Sequence, residues 1–435
     1  MLALRHLRSL GAPLRTVSCA APRCVAQRVA QAPRIGHRCR STITPGWAPA
    51  AAECAAARTS VADAIAAPLA ETGSRAVGWW LLGTSGCVFG MVVVGGITRL
   101  TRSGLSMVDW RPQGRSYPRD TAEWECEFEK YKQFPEYQRM HKGTGMTLDD
   151  FKNIYFWEWF HRMCGRGIGL VFALPLVGFA ARGMIPREVA PKLGALLVLG
   201  GSQGLVGWWM VKSGLDKELV EEIEGGVPRV SPYRLAAHLT CAFALFTGLV
   251  HTGLGVLQPR TAAAAAPLAS VHLRVRGLAL LVGVTAISGA FVAGMQAGLA
   301  FNTFPLMEGR LIPEGYMQLS PTYRNFFESV PSVQLHHRAL ALTTVGSTTA
   351  LWLWLQRRPL PRQLRLATDL LLLGAWAQAS LGVATLLHAV PVHLGSAHQA
   401  GALTLFSLVL FALHSCRVPH AGRMAARLLY KPAPA

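Results

Sequence analysis

The sequence predicts an all-α polytopic membrane protein, with eight transmembrane helices arranged as two repeated four-helix bundles. Three observations carry this reading. About half of the 435 residues are hydrophobic and only 15% are charged, less than a soluble chain of this length carries. The apolar residues fall in blocks of roughly 20, long enough for a helix to cross a ~30 Å hydrocarbon core. Lysine and arginine gather in alternate loops, as a membrane topology requires. The net charge of +20 is no sign of a nucleic-acid partner. No basic stripe with interleaved aromatics is present, and the excess lies in the N-terminal segment and the alternate loops. The nine cysteines are scattered, with no CxxC, so neither a disulfide framework nor a zinc site is expected.

Residues 1–52 hold eight arginines and no Asp or Glu, with abundant Ala and some Ser. That is the character of a mitochondrial transit peptide, and a disordered basic tail is the plainer alternative. Residues 53–75 read as an Ala-rich linker. The spans follow at 76–98, 161–181, 193–212, 234–257, 276–298, 337–356, 366–388 and 393–416. The N-terminal bundle thus covers 76–258 and the C-terminal bundle 272–416, with a basic tail at 417–435. Glycines at small-xxx-small spacing, Gly86/Gly90, Gly165/Gly169 and Gly200/Gly204, are expected to let helices pack closely.

The loop 182–192 carries Arg182, Arg187 and Lys192 against Glu188. The loop 357–365 carries Arg357, Arg358, Arg362 and Arg365 without an acid. The positive-inside rule places these loops and both termini on one side, the matrix if this is the mitochondrial inner membrane. The segments 99–160, 213–233 and 299–336 then face the intermembrane space.

The chain also repeats itself. Gln203 to Gly207 matches Gln378 to Gly382, and Gly104-Leu105 matches Gly298-Leu299. Ala237-His238 matches Ala397-His398, and His161-Arg162 matches His337-Arg338. Parallel repeats of four spans each follow, related by an axis along the membrane normal. Four histidines therefore fall at matching places near the starts of even-numbered spans, all toward the intermembrane-space side.

A lone histidine in a span is most often a hydrogen-bonded packing residue. Four at repeated positions point elsewhere: His161 with His238, and His337 with His398, can each face across a four-helix core and hold a haem iron between two imidazoles. Arg162 and Arg338 follow their histidines at the water boundary and are candidates for propionate contacts, or simply snorkel to the interface. Glu158 shares a helix face with His161. Its counterpart is Gln334, which does not ionise, so the halves differ. Glu158 is the candidate catalytic group, handling protons or stabilising developing charge; the bland alternative is an interfacial ion pair with Arg162. His336 is a rival to His337, set aside because the repeat aligns His337 with His161.

Together, Glu158-x-x-His161-Arg162, the run Gly95-Gly96-Ile97-Thr98-Arg99-Leu100-Thr101-x-Ser103-Gly104-Leu105-Ser106, Ala236-Ala237-His238, the stretch from Gly289 to Gly294 with Phe304-Pro305, and Ala397-His398-Gln399 resemble the haem A synthase family over residues 76–416. The resemblance implies an oxidoreductase of the mitochondrial inner membrane that converts the C8 methyl of haem O to a formyl group, giving haem A for cytochrome c oxidase. It implies substrate haem at His161 and His238, Glu158 as the catalytic carboxylate, and a haem b cofactor at His337 and His398. Implied partners are haem O synthase, a ferredoxin with its reductase, and the lipid bilayer; a homo-oligomer is compatible. Some members carry a cysteine pair in the first external loop, where this chain has only Cys126, so no mechanism built on such a pair carries over. Cys164 lies near the expected substrate site without a role that the family assigns. Two other classes use the same four histidines: a di-haem b-type electron carrier, and a haem transporter or chaperone. Carriers usually stack their haems across the membrane, whereas all four ligands here fall toward one face.

Overall fold

Long helices account for most of the computed structural model, which describes residues 75–216, 218, 228–258 and 268–416. The expected transit peptide, the linker up to residue 74 and the tail 417–435 lie outside the described residues. Arg75, expected to end the linker, instead opens the first helix.

Eight helices exceed 20 residues: α1 (Arg75–Leu100), α3 (Leu148–Ala181), α4 (Ala190–Leu215), α5 (Pro232–Leu257), α6 (Ala269–Gly294), α7 (Val330–Gln356), α8 (Arg362–Leu387) and α9 (Val392–Ser415). A shorter helix, α2 (Thr121–Lys132), lies between α1 and α3. Among the described residues there is no β-strand, only an isolated bridge between Met307 and Arg310. Seven of the long helices are apolar enough to cross a membrane by length and composition. The eighth, α7, falls short because His336, His337, Arg338 and a run of threonines dilute it. The threonine hydroxyls do not stay unpaired: Thr343, Thr344, Thr348 and Thr349 each donate to the carbonyl four residues back, at 2.7 to 2.9 Å. A hydropathy index counts those hydroxyls as polar, although the helix itself satisfies them.

The largest departure from the sequence reading is at α3, which begins at Leu148 rather than near residue 161. Thr147 and Asp150 form a reciprocal capping box there. Residues 148–160 are too polar and aromatic to read as a span, yet the cap starts the helix and nothing interrupts it. Glu158 and His161 therefore sit well inside a continuous helix, not at its mouth. Proline opens α4, α5 and α7 in the first turn, where its missing N–H costs nothing, and Ser329 caps α7.

Each long helix from α3 to α9 packs on the next in the chain. α9 also packs on α6 and on α5, with Phe243 against Phe406 at 5.1 Å. α1 lies against α3 through Trp80 on Phe172 (centroids 5.0 Å apart), against α5 at Gly78 and Gly253, and against α9, where Gln399 donates to the carbonyl of Val92 at 2.7 Å.

The glycine pairs picked out by spacing do not make the close contacts. A methyl added at Gly86, Gly90, Gly169, Gly200 or Gly204 would meet nothing within 4 Å, and one at Gly165 only Met91 at 3.5 Å. Gly86 and Gly90 are exposed, and the other four line the central cavity. Close approach occurs instead at Gly78/Gly253, at Gly248 against Leu196, and at Gly294 against Pro232.

The segment before α3, expected as plain loop, has a core of its own. Trp124, Phe128 and Tyr131 of α2 pack on Phe151 and Tyr155 of α3, with Met107 beside them. Inside this outer layer the Tyr131 hydroxyl donates to Glu136 at 3.1 Å. Burial pushes the Glu136 carboxyl up to about 7 from an ordinary 4.5, reinforced by Glu158 and opposed by Tyr131 and Arg102. The folded protein then holds a proton that the unfolded chain has released between those values. This contribution to stability is greatest below about 4.5, falls as pH rises and is lost above about 7. Hydrogen exchange over 121–141 should show protection weakening across that window, by about 3 kcal/mol at most. Glu136→Gln should flatten the dependence; an unchanged slope in the variant would place the titration elsewhere.

Candidate functional site

The helices enclose a cavity of about 1610 Å³, larger than the ~300–1,000 Å³ typical of drug-sized ligands. It is lined by His161, His238, His337 and His398, with Glu158, Arg162, Gln334 and Arg338 also on its wall. His161 of α3 and His238 of α5 are close enough to interact electrostatically, as are His337 of α7 and His398 of α9. His336 turns away. Its ring stacks on Phe326 with centroids 4.8 Å apart and shares a 3.3 Å hydrogen bond with Tyr316.

Each imidazole is pressed against a glycine of a neighbouring helix. Added Cβ atoms would come within 3.1 Å of His161 at Gly95, 3.0 Å of His238 at Gly207, 3.2 Å of His337 at Gly289 and 2.7 Å of His398 at Gly382. Two of the four, Gly207 and Gly382, close the matched runs that begin at Gln203 and Gln378. The glutamines act alike as well: Gln203 donates to the carbonyl of His238 at 3.0 Å and Gln378 to that of His398 at 2.8 Å. Residue spacing does not reveal these glycine contacts, although Gly95 and Gly289 fall within the motifs that carry the family resemblance.

Hydrogen bonding at the ring nitrogens differs between the halves. The Ser288 hydroxyl donates to the Thr285 carbonyl at 2.7 Å and lies 2.7 Å from His337 Nδ1. Its one proton is thereby used, so it accepts from Nδ1–H and leaves the Nε2 lone pair free. Gln378 Nε2 lies 3.0 Å from His398 Nδ1. By contrast, His238 Nδ1 is buried with no hydrogen-bond partner.

Glu158 is 3% exposed, and its Oε1 accepts from Arg162 Nε at 2.6 Å. The other nitrogens of Arg162 donate to the carbonyls of Met107 and Asp109, at 2.8 and 2.9 Å. In the matched place Gln334 accepts from Arg338 at 3.0 Å through its Oε1, while its amide donates to the carbonyls of Ala297 and Ala300. The same geometry thus carries an ion pair in one half and a neutral hydrogen bond in the other. Arg338 also donates to Phe301 O at 2.7 Å and keeps a buried, unpartnered Nε.

Fold and site define a class: an all-helical protein of membrane-length helices around a large cavity lined by four histidines. The chain belongs to the cytochrome oxidase assembly protein family (COX15-CtaA), whose model matches residues 78–410. It is 51% identical over 352 residues to Heme A synthase COX15 of Arabidopsis thaliana, covering 79% of this chain and 75% of the relative. It is 45% identical over 354 residues to Heme A synthase of Rhodospirillum centenum, covering 81% and 91%. Against Heme A synthase COX15 of Homo sapiens it is 43% identical over 349 residues, covering 80% and 84%.

Proposed function

We propose that this chain is an oxidoreductase that makes haem A by oxidising the C8 methyl of haem O to a formyl group. The observation that carries the reading is the cavity with two imidazole pairs, in a chain whose relatives are named for haem A synthesis. The donor set fits haem. Among the described residues no cluster of three or more His, Cys, Asp or Glu exists that could hold a bare ion, whereas a porphyrin supplies four nitrogens to iron and needs only the axial pair. The open cavity wall at Gly165, Gly169, Gly200 and Gly204 leaves room for a broad flat ring between helices.

Eight membrane spans in two four-helix bundles go with this reading, α7 being the eighth. The closed ring of contacts among α6, α7, α8 and α9 supports it, as does a shared turn conformation after α1 and α6. Arg102 and Gln296 there are both left-handed at φ 54, and the same sequence offset relates Gly95 to Gly289. This reading puts both termini in the mitochondrial matrix and the histidines toward the intermembrane space, in keeping with the Arg/Lys loops. Haem O synthase and a ferredoxin with its reductase remain the partners that the reading calls for.

His161 and His238 would hold the substrate, and His337 and His398 a resident haem b. A bound haem b would supply one-electron redox chemistry. Ser288 fixes the tautomer of His337 and so suits a permanent site. The less restrained His238 suits a site whose occupant must leave. Arg162 holds Glu158 by one oxygen. The carboxylate is then placed to take a proton or to stabilise positive charge as the methyl carbon is oxidised. Each nitrogen of Arg162 already has a protein partner, so we assign it to orienting Glu158; Arg338, with Nε unpartnered, stays the candidate for a propionate contact.

The test is direct. Purified protein given haem O, reductant and air should yield haem A in the mass spectrum of extracted haems. His161→Ala should lower that yield by at least 100-fold. No haem A from the wild type, or undiminished yield from the variant, would overturn the assignment. His337→Ala should instead abolish the absorption spectrum of a stably bound haem b.

A further inference from the structure

Arg99, like Arg338, is a cation on the cavity wall with no acidic partner among the described residues. Arg99 stands at the end of α1, lining the cavity. One terminal nitrogen donates to the carbonyl of Ala293 on α6, and its Nε is buried with no hydrogen-bond partner. The charged groups that act on it are Arg102 and Arg229, both of its own sign, with no acidic side chain among them. Arg102 also lines the cavity. A guanidinium edge buried without an anion is unfavourable, and a like-charged neighbour adds to that.

Arg102 also acts on the buried Glu136 carboxyl, but the matched turn of the other half carries neither charge. The offset that relates Gly95 to Gly289 relates Arg99 to Ala293 and Arg102 to Gln296. The two turns share their shape, down to the left-handed residue at φ 54. The C-terminal copy is built without either cation. Arg99 also bonds to the carbonyl of its own counterpart, which puts a single guanidinium at the junction of the halves and at a cavity that all four histidines line. A planar guanidinium with a free N–H edge matches a carboxylate.

We propose that Arg99 and Arg102 form an anion site at this junction, taking a carboxylate side chain of the tetrapyrrole bound in the cavity. This rests on the haem reading above. The carboxylate belongs either to the porphyrin on His161 and His238 or to the one on His337 and His398.

The test uses the purified full chain in lipid nanodiscs, with haem b and its dimethyl ester as probes titrated by absorbance. Wild-type protein should bind the free acid at least 10-fold more tightly than the diester. Arg99→Gln should remove that preference, and Arg99→Lys should retain part of it. The reduction potential of the bound haem should fall in Arg99→Gln, because a cation that favours the reduced iron is gone; a purely structural role would leave it unmoved in a folded variant. Repeating the titration on His161→Ala and His337→Ala identifies the source, since the preference disappears with whichever site supplies the carboxylate. A preference that persists when Arg99 and Arg102 are both glutamine overturns the proposal and leaves the haem reading standing. So does dependence of the Arg99 effect on anionic lipid instead of on the ester, which would make the anion a lipid headgroup. Failure of the wild type to bind either probe overturns both readings.

Discussion

Glu158→Gln is expected to leave the protein folded while lowering haem A formation by at least 100-fold, the low end of what a positioned acid–base group contributes. The structural half of this expectation comes from the protein itself. Removing one partner of a buried ion pair usually costs about 3–5 kcal/mol, because the other charge is stranded. Arg162, however, keeps its bonds to the carbonyls of Met107 and Asp109. The matched pair in the other half shows that glutamine serves in this position: Gln334 Oε1 accepts from Arg338 at 3.0 Å and is 3% exposed. A glutamine at 158 can copy that contact, so thermal stability should change little. What it cannot copy is the charge and the capacity to exchange a proton. Haem binding should survive, since His161 and His238 are untouched. Haem A production within a few-fold of wild type would assign Glu158 to packing and remove the main chemical difference between the halves. Glu158→Ala is less informative, because it removes the contact to Arg162 along with the charge.

Much of this arrangement was legible in the chain. Apolar blocks give the long helices, and the repeat selects four of fourteen histidines, all four of which the structure brings to one cavity. The choice of His337 over His336 rested on alignment with His161-Arg162, and the structure turns His336 onto Phe326 and Tyr316. Other features were hidden for physical reasons. The start of α3 is set by a cap at Thr147, a local hydrogen-bond pattern to which hydropathy is blind. The outer aromatic core needs α2 and α3 to meet, a tertiary event. Glycine spacing suggested helix contacts, yet whether a bare backbone faces a helix, lipid, an imidazole or open cavity depends on helix rotation, which spacing alone leaves free. Arg99 stands within the motif that runs from Gly95 to Ser106. Its lack of a counter-charge becomes visible only when its surroundings are known.

Those glycines give the second large effect. Gly382→Ala is expected to weaken haem binding in the C-terminal half by more than 10-fold without unfolding the protein. A Cβ at 382 would stand 2.7 Å from His398 Cε1 and 3.4 Å from both ring nitrogens, closer than carbon atoms approach without displacement. The imidazole must then swing away, taking with it the 3.0 Å contact between its Nδ1 and Gln378. Alanine is otherwise the better helix former by about 1 kcal/mol, so α8 itself should not suffer. The separation of site damage from fold damage is what makes the variant useful. Gly346→Ala on α7 is the control: a methyl there meets nothing within 4 Å, and the haem spectrum should match wild type. Gly207→Ala, with His238 at 3.0 Å, should act on the substrate side instead, raising the haem O concentration needed for turnover and leaving the resident haem b spectrum intact. Gly204→Leu tests the open wall from the other direction. A Cβ at 204 meets nothing within 4 Å and the position lines the cavity, so stability should hold while a flat ring between α3, α4 and α5 is excluded. If Gly382→Ala and Gly204→Leu both bind haem as wild type does, the imidazole pairs are not where the macrocycles sit. If each impairs its own half alone, the two sites are physically separate despite sharing one cavity.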